Sequence, residues 1–107
     1  MKLLIIIVAK EDASKVTTGL IKEKYSVTKL ATTGGFLMSG NTTLLVGTSD
    51  DKVDHVIEVV KQYSKTRKKF VPNSIPNEIG VFASYPIEVQ VGGATIFVVN
   101  IEQLIKV

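Results

Sequence analysis

The chain has 107 residues, 45% apolar and 21% charged, with a formal net charge of +3. That is the size and composition of one folded domain, not of a disordered segment. Cysteine is absent and histidine occurs once, at His55, which excludes disulfides, thiolate chemistry and a multi-histidine zinc site within one chain. The lack of cysteine agrees with a cytoplasmic protein.

Leu3 to Ala9 is a continuous aliphatic run that reads as a strand covered on both faces. The run is at the short end of the roughly 7–15 residues of a signal-peptide core, and Lys10, Glu11 and Asp12 follow at once, so a leader is not expected. Nor does any apolar segment approach the ~20 residues that span a bilayer, and no membrane insertion is expected. Glu11 to Lys24 reads as a helix with Ala13, Val16 and Leu20 on one side, its start capped by Asp12 or a neighbour.

Tyr25 to Thr33 reads as a second strand, ended by Gly34-Gly35, with a short extended piece at Phe36 to Ser39 and a turn at Gly40-Asn41. Thr42 to Gly47 is a third strand. Thr48 or Ser49 then caps a second helix, carried by Val53, Val56, Ile57 and Val60, with Asp50 and Asp51 in its first turn and Lys61 near its end. From Ser64 to Tyr85 the pattern dissolves around Pro72, Pro76 and Gly80, which suggests a long flexible loop within a single domain spanning residues 1–107. Pro86 to Val99 reads as a long strand interrupted at Gly92-Gly93, and Ile101 to Ile105 as a short terminal helix.

The resulting order, β-α-β-β-α-β, is the ferredoxin-like arrangement of the α+β class. Two helices cover one face of such a sheet, yet its strands are apolar on both faces. Identical subunits are the simplest cover for the second face.

The segment Thr28 to Leu37, followed by Gly40 to Thr43, combines hydroxyls, paired glycines and one ring. Paired glycines admit a ligand close to the backbone, bare N–H groups receive phosphate oxygens, Phe36 offers a stacking face and Asn41 can read a purine edge. Taken singly, each has an ordinary reading as turn or core residue, and the ordinary reading is favoured. No Walker-type phosphate loop is present.

The blocks TKLATTGGFL (28–37), GNTT (40–43), DKVD (51–54) and VGGATIF (91–97) resemble the PII-like cyclic di-AMP receptor family of Gram-positive bacteria. The resemblance implies a PII-like homotrimer that binds cyclic di-AMP in clefts between subunits, needs no further cofactor, and reorganises the 64–85 loop to regulate an unknown protein partner. It implies ligand contacts from Thr28, Gly35, Phe36, Leu37, Asn41, Gly47 and Phe97. The chain departs from the family pattern at Lys24, Ser26 and Lys106. No catalytic residue and no metal ligand is expected.

Alternatives are a PII-like trimer for another nucleotide or phosphate-containing ligand, and a small enzyme on the same scaffold. The only arginine, Arg67, falls in the expected loop, and Asp50, Asp51 and Asp54 read as helix-start charge, so an acylphosphatase-like or metal site is not favoured. An RNA-binding module would need exposed aromatics on central strands that are here aliphatic, so no nucleic-acid polymer is expected as partner.

Overall fold

The computed structural model describes residues 1–30, 40–71 and 87–107. Strand β1 (Lys2–Ala9) leads into helix α1 (Lys10–Lys22), strands β2 (Val27–Lys29) and β3 (Asn41–Thr48), helix α2 (Val53–Tyr63) and strands β4 (Arg67–Val71), β5 (Ile87–Val91) and β6 (Ala94–Asn100). Strands β2-β3-β1-β6 form one antiparallel sheet in that order, while β4 and β5 pair as a separate ribbon. The architecture is therefore α+β, a βαββαβ core with a two-stranded ribbon inserted after α2.

The aliphatic run of β1 occupies the centre of the sheet, where both neighbours satisfy its backbone groups. Leu4, Ile6 and Val8 point to the helices and are fully or almost fully buried. They meet Leu44 and Val46 of β3, Val16 and Leu20 of α1, and Val56 and Val60 of α2 in one core. A fully buried aliphatic of this size contributes about 1.5–3 kcal/mol by leaving water. Both helices lie on this face.

The observed elements differ from the sequence expectation in six places. Strand β2 starts later than Tyr25, because the Tyr25 amide donates to Leu20 O (3.0 Å) and Lys24 takes a left-handed φ of 71°, so the exit from α1 uses those residues. The remainder of the expected second strand and the piece at Phe36 to Ser39 lie outside the described residues. Asp12 does not cap α1: Ala9 occupies the cap position without a side-chain bond, and Asp12 is buried for another purpose. A 3-10 turn at Asp50–Lys52 precedes α2, and Ser49 makes no cap bond to it. Instead, a hydrogen bond from Ser49, with a backbone bond, holds the Asp51 carboxyl below its ordinary range.

The fourth difference is at residues 64–85, where the expected loop begins with strand β4; residues 72–86 lie outside the described residues. The segment read as one interrupted strand is two strands in two sheets. Gly92 and Gly93 both take positive φ (88° and 83°), which turns the chain so that β5 pairs with β4 and β6 with β1. Sixth, no helix forms after Asn100; the Ile101 amide donates to Met1 O (3.0 Å) and the tail continues without regular structure.

The core makes a direct prediction. Leu20→Ala, at a fully buried α1 position, should cost about 2–5 kcal/mol in chemical denaturation, whereas Ile21→Ala, next in sequence but 57% exposed, should cost less than about 1 kcal/mol. Equal losses would show that α1 packs through a different face.

Candidate functional site

The face of the sheet away from the helices carries every sequence-predicted site residue that the structure describes. Side chains alternate along a strand, so the positions between the buried ones share the second face. On β1 these are Leu3, Ile5 and Ile7, and pairing carries the face sideways. Thr28 stands opposite Leu45, Leu45 opposite Ile5, and Ile5 opposite Phe97. In the next row Gly47 pairs with Leu3 and Leu3 with Val99, and at the far end of the strands Asn41 pairs with Ala9. Thr28, Asn41, Gly47 and Phe97 thus share one face, although their sequence positions span 70 residues. Gly35, Phe36 and Leu37 lie outside the described residues.

The same registers separate Thr28 from Phe97. Three strand spacings lie between them, about 14 Å. Thr28 is on the β2 edge and Phe97 on the β6 edge, with Leu45 and Ile5 between. Phe97 is 52% exposed and Val99 41%, so the β6 edge presents apolar surface to solvent. The Ile101 side chain comes close to Gly47, where an added Cβ would lie 3.8 Å from its Cδ1.

A hollow of about 180 Å³ opens at the Asn41 end of this face, lined by Ile7, Ala9, Asn41 and Thr95 with Gly92 and Gly93. It joins two of the sequence motifs, the turn at Gly40-Asn41 and the VGGAT block. One wall is held by the Lys10 amide, which donates to Gly40 O at 2.6 Å. The other is held by the Gly93 amide, which donates to Ser64 O. Asn41 and Thr95 bring side-chain polar groups to a lining whose exposed surface is more polar than apolar.

Sequence reasoning missed the group that braces this wall. Arg67 lies on β4 and donates to Asp12 through both terminal nitrogens, Nη2 to Oδ1 at 2.8 Å and Nη1 to Oδ2 at 3.2 Å. Asp12 is only 1% exposed, and Glu11 Oε1 lies 3.8 Å from the same guanidinium. The Asp12 hydrogen bond raises the guanidinium pKa above its ordinary value, so Arg67 stays charged. Nη1 also donates to Lys65 O, and the Gly92 backbone packs against both groups. The available signal was that Arg67 is the only arginine in the chain.

Two other hollows contain none of the predicted residues. One of about 530 Å³ lies beside the end of α2, lined by Ile57, Val60, Lys61, Thr66, Ala94 and Ile96 among others. The other, about 410 Å³, runs past His55 and Glu23. There the Tyr25 hydroxyl lies 2.6 Å from His55 Nδ1, and Glu23 Oε2 lies 3.9 Å from Nε2. Burial, then the Glu23 and Asp51 carboxylates, push the Tyr25 pKa up, so its hydroxyl stays protonated at neutral pH. His55 is thereby paired at the surface. No cluster of three metal-ligating side chains occurs among the described residues, and no helix there is long and apolar enough to cross a membrane.

A βαββαβ sheet with helices on one face and a glycine-bordered, partly polar hollow on the other defines a small α+β module with an open ligand-accessible face. The family model described as cyclic-di-AMP receptor matches residues 1–107, and the chain belongs to that family. It is a receptor family and not an enzyme family. Among solved structures, the chain is similar to a functionally unknown protein from Pediococcus pentosaceus, with 40% sequence identity, a TM-score of 0.76, and coverage of 99% of this chain and 96% of that one.

The two glycines bordering the hollow differ in what a side chain would meet. At Gly40 (φ 99°) nothing lies within 4 Å, so Gly40→Ala should cost only backbone strain, about 1 kcal/mol. At Gly92 an added Cβ would lie 2.5 Å from the Lys65 carbonyl oxygen and 2.8 Å from Arg67 Nη1. Gly92→Ala should therefore lose about 2–4 kcal/mol in denaturant unfolding, strain and collision together. Equal losses would contradict the close packing of this corner.

Proposed function

We propose that the chain is a cytoplasmic, non-catalytic signal receptor that works as a PII-like homotrimer and binds cyclic di-AMP in clefts between subunits. The observation that carries this reading is the placement of Thr28 and Phe97. Both stand on the open face, but on opposite edges about 14 Å apart, with Leu45 and Ile5 between them. A single pocket that uses both edges closely needs the β2 edge of one copy beside the β6 edge of another. The half-buried aliphatics on the same face supply the apolar surface that such copies would cover.

In this reading Thr28 donates or accepts a hydrogen bond at the nucleotide. Asn41 recognises a polar edge, Gly47 lets the ligand approach the sheet, and Phe97 packs against a base. Gly35, Phe36 and Leu37 line the adenine and phosphate pocket. Membership of the cyclic-di-AMP receptor family supports the choice of ligand. The segment 64–85 includes β4 of the ribbon, and a change in its conformation on binding is what a protein partner would read. Binding shifts that conformation only by the difference in ligand affinity between its two states.

Calorimetric titration with cyclic di-AMP and cyclic di-GMP, alongside analytical ultracentrifugation, tests the proposal. The expected result is a trimer that takes one cyclic di-AMP per subunit and prefers it to cyclic di-GMP. Phe97→Ala should weaken binding by about 1–3 kcal/mol, the worth of one base–aromatic stack. A folded trimer that gives no heat would remove the ligand assignment. A monomer at the concentrations used would remove the inter-subunit cleft.

A further inference from the structure

The first turn of α1 touches both walls of the hollow at the Asn41 end of the open face. Its first residue, Lys10, donates its amide to Gly40 O, which fixes the backbone immediately before Asn41. Its third residue, Asp12, holds Arg67 by two hydrogen bonds. Arg67 in turn donates to Lys65 O and lies against the Gly92 backbone, while the Gly93 amide donates to Ser64 O. One rigid helical turn therefore sets the separation of the two walls, one directly and one through an ion pair.

We infer that Asp12 and Arg67 are a positioning pair for the ligand site, which fix the Gly92–Thr95 wall relative to Asn41 and tie ligand occupancy to the ribbon. This rests on the reading of the open face as the cyclic dinucleotide site. The pair has features that a solubility charge lacks. Asp12 is buried and its carboxylate is engaged at both oxygens, in the bidentate geometry that fixes orientation as well as distance. Arg67 is the first residue of β4, so whatever orients its guanidinium also orients the base of the ribbon. Its strands β4 and β5 lead into and out of residues 72–86. Neither side chain lines the hollow, so the pair acts through the wall and not by touching the ligand.

The test is calorimetric titration with cyclic di-AMP of the wild-type chain, Arg67→Ala, Arg67→Lys, Asp12→Asn and the double variant Asp12→Asn/Arg67→Ala, at a temperature where melts show each folded. Arg67→Ala should weaken binding about tenfold, the scale on which residues without ligand contact tune a site. Arg67→Lys should recover part of the loss, and it supplies the comparison if Arg67→Ala fails to fold. The double variant should bind no worse than the weaker single one, because either change already breaks the pair. A lower melting temperature with unchanged affinity, or losses that add in the double variant, would overturn the inference.

A wild-type chain that gives no heat removes the ligand assignment, and amide exchange then decides the positioning claim. Arg67→Ala should speed exchange at both the Lys10 and Gly93 amides relative to Arg67→Lys. Acceleration at Gly93 alone would show that the two walls are not braced together and would overturn it.

Discussion

Strand β1 carries aliphatic side chains on both faces, and the described residues hold only enough helix to cover one of them. Leu4, Ile6 and Val8 are sealed under α1 and α2, while Leu3, Ile5 and Ile7 on the reverse are half-buried by their own neighbours. Burial of one face requires the alternation to hold along all eight residues, because a one-residue slip would exchange the two sets. The register with β3 and β6 is thereby fixed, and with it the positions of Asn41, Gly47, Thr95 and Phe97 on the second face. Which residues share this face follows from the core on the other.

The sheet edges bear on how the open face is completed. Strand β6 pairs with β1 on one side, and no described strand pairs with its other side, yet its side chains include Ile96, Phe97, Val98 and Val99. An exposed apolar edge strand invites pairing or covering by another chain. Strand β2 at the opposite edge is only three residues long and carries Thr28 and Lys29, which makes it the less adhesive edge. This asymmetry suits a head-to-tail contact, in which an apolar edge meets a different and more polar surface; contacts of that kind make rings where the rotation between copies closes and filaments where it does not.

How much of this was legible in the sequence depends on whether the signal was periodic. The core face was readable because Ala13, Val16 and Leu20, and likewise Val56 and Val60, repeat at helical spacing, and because β1 is a long aliphatic run. The open face was readable only as surplus hydrophobicity; the gathering of Thr28, Asn41, Gly47 and Phe97 on it depends on pairing registers that no local pattern encodes. The ribbon was missed for a related reason. Arg67 to Val71 reads as part of the 64–85 loop, and its strand state depends on pairing with Ile87 to Val91, which lies beyond residues 72–86 in sequence. Asp12 read as a helix cap because the N-terminal turn favours a carboxylate wherever it points. Its actual partner lies 55 residues away.

That long-range pair also bears on how a receptor of this size can signal. Two described groups meet at the first turn of α1, the backbone of Gly40 and the base of the ribbon. Gly40 is held there by the Lys10 amide, and the first residue of β4 by the Asp12–Arg67 pair. A ligand that draws on Asn41 and the Gly92–Thr95 wall acts between these anchors. Because α1 is packed into the core through Val16 and Leu20, its first turn is a support common to both walls. Coupling of the two walls then needs no continuous relay through the core, only two contacts made by one helical turn.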